Sequence, residues 1–355
     1  MFHFLNDYSE SAHPDIIKAM QDAHLQQHKG YGFDEYSDRV RDQIKSQLDN
    51  KDIAIHFGIT GTQANLVCID AMLSPIDGIV ACDTGHIAVN EAGAIEATGH
   101  KVILAESKQG KLTIEALEKV RVRHSFTPHV VRAKAVYISN TTELGTVYTY
   151  EELKALSDYC RSNDMYLFMD GARLGAAIAY THSNPDERTL TFSDFAELTD
   201  IFWFGGTKMG AMFGEILVIP NKDIATDFNI YLKRHGGLMA KGYLLGLQFE
   251  VLLKDDKYLE LCLHANAMAK KLSEGLEQCG IELFVPTQSN QVFALLPPDL
   301  IATLKTEFDF YEWEQLDNGF TICRLVTSWA TPENQVERFI SMLETNTLEA
   351  NTSNN

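Results

Sequence analysis

The sequence predicts an α/β fold: a large domain with a mostly parallel central sheet, followed by a small C-terminal α+β domain. Three observations carry this. From about residue 50 to about 220, short apolar runs alternate with amphipathic ones, the pattern of strands covered by helices on both faces. After about 240 the alternation stops, and a long helical stretch leads into a cluster of strands. The chain has 355 residues, 45% of them hydrophobic, enough for one large core and a second, smaller unit.

In order, residues 1–20 read as an N-terminal arm running into a first helix, with Pro14 near that helix start. The large domain is expected over 21–240. Its buried strands are IAIHFG (53–58), IVACD (79–83), KVILAE (101–106), AVYISN (135–140), MYLFMD (165–170), DIFWFGG (200–206) and GEILVIP (214–220). Between them, TQANLVCIDAML (62–73), VNEAGAIEATG (89–99), TIEALEKVRV (113–122) and YEELKALSDYCRSN (150–163) read as helices. The small domain, 241–346, opens on one helical stretch over 242–278. Strands IELFV (281–285), QVFALLP (291–297), FYEWEQL (310–316) and FTICRLVTSW (320–329) follow, and the helix NQVERFISMLETN (334–346) closes it. The tail 347–355 has little to bury and is expected to be disordered.

Charge removes several classes of function. With 30 basic and 49 acidic residues the net charge is −19, a surface that repels phosphate backbones and anionic lipid. Neither nucleic acid nor membrane is an expected partner. No apolar run reaches the roughly 18 residues of a membrane span, and MFHFLNDYSE lacks the basic and apolar regions of a signal peptide. The six cysteines form no C-x-x-C pair, and several lie inside apolar runs. Reduced thiols in a cytoplasmic protein, with no metal site, are the expectation.

Against this background five places stand out. Asp170 ends the apolar run MYLFMD; a strand-end aspartate is as often a helix cap as a functional group. Lys208 sits among glycines in GGTKMG after another buried strand. Such a lysine is usually solvated, but glycines let backbone approach a bulky ligand, and a lysine screened from water becomes a nucleophilic amine. The two lie 38 residues apart (208 − 170), so one crossover brings both to one sheet edge. That pair is what pyridoxal 5′-phosphate requires: an amine for its aldehyde and a carboxylate for its ring nitrogen. Gly58–Asn65 (GITGTQAN) links a strand to a helix and offers Gly61 and Thr62 to a phosphate, although Gly-Thr also makes an ordinary cap. His86 follows a strand, where an imidazole can stack on a flat cofactor or move protons, or be simply structural. Arg324 lies in the apolar strand FTICRLVTSW; a salt bridge is the plain reading, a substrate carboxylate the functional one.

The segments GTQANL, GHIAVNEAG, MDGARLGAA, GTKMGAMFGE and RLVTSW occur in this order and at the spacing found in the low-specificity L-threonine aldolase family. The chain resembles that family from LNDYSESAHP to RLVTSWAT, nearly its whole length. The resemblance implies a fold-type-I pyridoxal-phosphate enzyme of the superfamily that holds the aromatic amino acid β-eliminating lyases. It matches Lys208 to the Schiff-base lysine, Asp170 to the partner of the ring nitrogen, His86 to the stacking histidine, and Gly61 and Thr62 to the phosphate cradle. Arg173 and Arg324 match groups that bind substrate or hold the cofactor site together, and Tyr31 matches a tyrosine at the pocket mouth. Lys233 and Arg234 match basic residues that reach a neighbouring subunit's phosphate. In the arm Asn6-Asp7 stands where the family often has Ser-Asp, and Asn6 is expected at the substrate. The segment Asn140-Thr141-Thr142-Glu143 has Thr142 where many aldolases carry a second histidine, which leaves Glu143 beside the substrate.

The implied activity is retro-aldol cleavage of a β-hydroxy-α-amino acid to glycine and an aldehyde, by a homodimer or homotetramer with shared active sites. Two alternatives stay open: β-elimination giving pyruvate and ammonia, and cofactor binding without turnover. For the base, His86, Glu143 and a water that it orients are all candidates.

Overall fold

The apolar runs of the large domain form one seven-stranded sheet in a computed structural model of the protein. Residues 1–353 are described in backbone and 1–346 in side chain; the closing helix runs Glu333–Ser353, so the tail expected to be disordered from 347 continues that helix as far as Ser353, and 354–355 lie outside the described residues. The strands are β1 (Ala54–Gly58), β2 (Asp77–Cys82), β3 (Lys101–Ala105), β4 (Arg132–Ser139), β5 (Tyr166–Asp170), β6 (Ile201–Gly205) and β7 (Glu215–Ile219). Their order across the sheet is β1-β7-β6-β5-β4-β2-β3. All run parallel except β7, which is antiparallel to both β1 and β6. Every residue of β2, β6 and β7 is buried, which is why these runs are apolar without alternation.

Two cores flank the sheet. Leu167, Val136, Phe204 and Phe249 pack on one face; Phe168, Tyr137, Trp203 and Leu217 pack on the other. Neighbours in sequence thus feed opposite layers, as the pleat demands. The strands approach so closely near the site that side chains are excluded. A Cβ on Gly171 would stand 1.8 Å from the carbonyl oxygen of Trp203.

The C-terminal part forms a three-stranded antiparallel sheet, with β8 (Gln291–Leu296) and β9 (Tyr311–Gln315) on either side of β10 (Thr321–Val326). Its core joins Leu272, Val292 and Phe339 to Phe4 from the arm. The arm is stitched in: Phe2–His3 pairs parallel with Phe308–Asp309, and Phe4 exchanges backbone hydrogen bonds with Asp309 and Val326.

Three local expectations are corrected. Residues 89–99 are not one helix. A short helix, His86–Val89, ends before Ala92 and Gly93, both at positive φ (51° and 75°), and only a 3₁₀ turn, Glu96–Thr98, follows. The stretch 242–278 is two helices, Tyr243–Leu252 and Lys257–Gln278, broken where Asp255 and Asp256 take φ of 53° and 57°. IELFV contributes only an isolated bridge, Leu283 to Ala294. The helix Glu35–Gln47, capped by Asp34, was not read from the sequence. Among the described residues no helix is long and apolar enough to cross a membrane, and no group of three or more His, Cys, Asp or Glu is placed to hold a metal.

Candidate active site

Because six strands run one way, their carboxyl ends line one edge of the sheet. β1 leads to Gly61 and Thr62, β2 to His86, β4 to Glu143 and β6 to Lys208, while Asp170 is the last residue of β5. The reversed strand β7 begins at this same edge, since Glu215 pairs with both Gly58 and Gly205. Two connected chambers open here. The inner one, about 390 Å³, is lined by Gly61, Thr62, Asp170 and Glu215. The outer one, about 560 Å³, is lined by Asn6, Arg173, Tyr311, Trp313 and Arg324. Tyr8, His86, Glu143 and Lys208 line both.

The floor of the inner chamber is a hydrogen-bond network centred on Asp170 and Asn65, with Glu91 Oε2 left buried and unpartnered. Asp170 Oδ2 accepts from Asn65 Nδ2 at 2.9 Å and from the Tyr137 hydroxyl at 2.6 Å. Its Oδ1 accepts from the Ala172 N–H at 2.9 Å. Asn65 is wholly buried; its amide also donates to Glu91 Oε1 at 2.7 Å, and its oxygen accepts from Trp203 Nε1 at 3.0 Å. Glu91 Oε1 meets His86 Nδ1 at 2.8 Å. Glu91 lies just past the short helix that His86 begins. Burial disfavours the His86 cation, but the bond to Glu91 and the charges of Glu143 and Asp170 outweigh it and raise its pKa. Burial raises Glu91 against the pull of His86 and Asn65. Neither Asn65 nor Glu91 was singled out from sequence. The available signal for Asn65 was a polar residue inside the apolar run QANLVCID.

Lys208 makes no hydrogen bond or ion pair among the described residues. Burial and then the nearby Arg173 charge lower its pKa, against Asp7, Glu143 and Asp170, which favours the neutral, nucleophilic amine. Its loop is fastened by Glu215, which accepts from the Thr207 hydroxyl at 2.8 Å and the Gly206 N–H at 3.1 Å. Burial pushes Glu215 up to about 8. At the helix Gly61–Met72, Thr60 caps by accepting from the Gln63 N–H at 3.2 Å, which leaves the first turn at the chamber wall. A Cβ on Gly61 would stand 3.1 Å from the Trp203 ring, so bulk here is disfavoured.

The outer chamber is built differently. Arg173 is closed off by a two-pronged ion pair with Asp7, at 2.6 Å and 3.0 Å, and Asn290 also donates to Asp7 at 2.8 Å. Burial opposes the Asp7 charge, but Arg173 and Lys208 hold its pKa low. Asn6 turns inward on its own segment, accepting from the Tyr8 N–H and the Ser9 hydroxyl. Thr142 faces away from the chambers: its hydroxyl meets that of Thr146 at 2.7 Å. Arg324 has no ion pair among the described residues, and its Nε is buried without a partner.

Three expected site residues lie apart from these chambers in this chain. Tyr31 is 45% exposed at another surface, with the Lys233 ammonium 4.8 Å from its ring centroid. Arg234 reaches Asp70 at 3.3 Å, beside the His235–Asp70 contact at 2.7 Å.

The residues present fit pyridoxal phosphate: an unpaired, half-buried amine, a carboxylate held by three donors, and a helix start where a side chain would crowd Trp203. A sequence model of the beta-eliminating lyases matches residues 4–297. The low specificity L-threonine aldolase of Pseudomonas aeruginosa is 31% identical over 337 residues, 94% of this chain and 94% of its own length. That of Saccharomyces cerevisiae is 26% identical over 76% of this chain and 69% of its own. A solved structure of Leishmania major threonine aldolase superposes with a TM-score of 0.94 at 44% identity, covering 98% of this chain and 100% of that one. The aspartate aminotransferase of Thermus thermophilus shares the fold, with a TM-score of 0.69 at 17% identity over 96% of this chain and 90% of its own.

Proposed function

The chain belongs to the beta-eliminating lyase family, and from that premise we propose that it cleaves a threonine-like β-hydroxy-α-amino acid to glycine and an aldehyde. The observation that carries the reading is one cleft holding an unpaired lysine amine, a hydrogen-bonded carboxylate and a guanidinium with no partner. Pyridoxal phosphate, when bound, supplies an aldehyde for amines and a ring that accepts electrons from the substrate's α-carbon.

The chain's own residues divide the remaining work. Lys208 Nζ would hold the cofactor's aldehyde carbon and give way to the substrate amine. Asp170 would keep the ring nitrogen protonated, its geometry fixed by Asn65, Tyr137 and the Ala172 N–H. The start of the helix Gly61–Met72 would take the phosphate. His86 would lie on the ring face, its Nδ1 tied to Glu91 and its Nε2 left to meet the substrate. Arg324 would take the α-carboxylate. The proton of the β-hydroxyl falls to the wall shared by both chambers, where His86 and Glu143 stand.

Tyr31, Lys233 and Arg234 would serve the neighbouring subunit's site in a homodimer or homotetramer; a fully active monomer would count against that. Five buried cysteines, and no disulfide among the described residues, support a cytoplasmic setting.

Product analysis tests the reaction. L-threonine, L-allo-threonine and phenylserine should each be assayed for glycine plus the matching aldehyde. Pyruvate and ammonia would point to β-elimination instead, and no product from any of the three would sink the proposal.

A further inference from the structure

Arg324 sits on β10, the middle strand of the small sheet, with Phe293 and Tyr311 as its two cross-strand neighbours. Its guanidinium carbon lies 5.3 Å from the Tyr311 ring centroid and 5.2 Å from that of Trp313. The register of β9 slips between Glu312 and Glu314, so Trp313 stands outside the regular ladder. Such bulges re-aim a side chain. Trp313 is braced edge-on against Phe293, centroids 5.5 Å apart, and against Tyr311 at 6.0 Å. The nearest charges do not pin the arginine either: burial and Arg173 both disfavour its cation, and the carboxylates of Glu143 and Asp7 act only at a distance.

We infer that Tyr311 and Trp313 are positioning residues, a π clamp that orients Arg324 while leaving its N–H edge free for the substrate's α-carboxylate. The inference rests on the reading of Arg324 given above. A carboxylate partner would have fixed the guanidinium equally well, but it would have occupied the same N–H donors that the substrate needs. Aromatic faces attract the cation through its plane and consume none of its hydrogen bonds. The Asp7–Arg173 pair nearby shows the other arrangement, with both prongs already filled.

The test is equilibrium binding, read by tryptophan fluorescence and cofactor absorbance in the cofactor-loaded protein. Glycine supplies the amine and carboxylate; methylamine supplies the amine alone. Trp313→Leu is expected to weaken glycine by roughly five- to thirtyfold, the range for a partly desolvated cation–π contact, and to leave methylamine within about twofold. Trp313→Phe restores the ring face and should recover most of the loss. Tyr311→Leu should act like Trp313→Leu, and Tyr311→Phe like the unaltered protein. Equal weakening of both probes, no rescue by phenylalanine, or no preference for glycine in the unaltered protein overturns the clamp. If Trp313→Leu fails to fold, the Tyr311 pair of variants decides. Glycine binding needs no turnover, so failure to cleave threonine would count against the proposed reaction and leave the clamp standing.

Discussion

The two chambers of the cleft are finished to different degrees. On the inner floor the donors and acceptors that hold Asp170, Asn65 and Trp203 already meet within the chain. On the outer wall, Arg324 keeps a buried Nε with no partner. The floor draws on strands and helices of one domain; the wall is assembled from the arm, β5's following loop and the small sheet. The difference teaches where preorganisation is placed. The carboxylate proposed to meet the cofactor ring is held in advance by three donors, whereas Lys208 and Arg324, proposed to bond to cofactor and substrate, keep their hydrogen-bonding capacity unspent.

The largest effect should come from the one part of the wall that is locked. Asp7→Ala would leave Arg173 buried and unpaired, which typically costs about 3–5 kcal/mol. Urea unfolding should show that loss, with partial recovery on also replacing Arg173 by methionine. Stability within experimental error of the parent would mean that the pair is not a structural lock. Next is the floor. Asp170→Asn should retain the cofactor yet lose roughly a hundredfold or more in turnover, comparable to removing another fixed electrostatic stabiliser. Near-normal turnover there would erase the contrast between floor and wall. The smallest effect should be Arg324→Lys. It would weaken substrate engagement by about 1.5–3 kcal/mol, roughly tenfold or more, since one ammonium cannot copy a two-pronged bond. Cofactor affinity should change much less. If the cofactor is lost and KM stays the same, Arg324 belongs with the floor.

The floor was also the more legible half. Asp170 ends a buried strand and Lys208 and His86 each follow one, and parallel strands end on one edge, so local sequence already gathers them. Glu215 lay hidden because it starts a strand; only the reversal of β7 brings it to that edge. Asn65 and Glu91 sat inside segments that were read, but their partners are 105 and 26 residues away in sequence. No periodicity reports such pairings. The wall was harder still. FYEWEQL reads correctly as a strand, but the bulge that turns Trp313 toward Arg324 has no mark in the alternation. The helix breaks at Ala92–Gly93 and Asp255–Asp256 depend on positive φ at alanine and aspartate, which helix propensity does not announce.

The pairing of Phe2–His3 with Phe308–Asp309 joins positions 306 residues apart (308 − 2). During synthesis the chain emerges from its N-terminus at about 5–20 residues per second. The tip of the arm therefore waits for almost all of the chain before its strand partner exists. The sheet edge carrying Asp170 and Lys208 is complete by Ile219, long before then. Asp7 is bonded both to Arg173 and to Asn290, so one buried carboxylate of the arm ties together segments made at widely separated times.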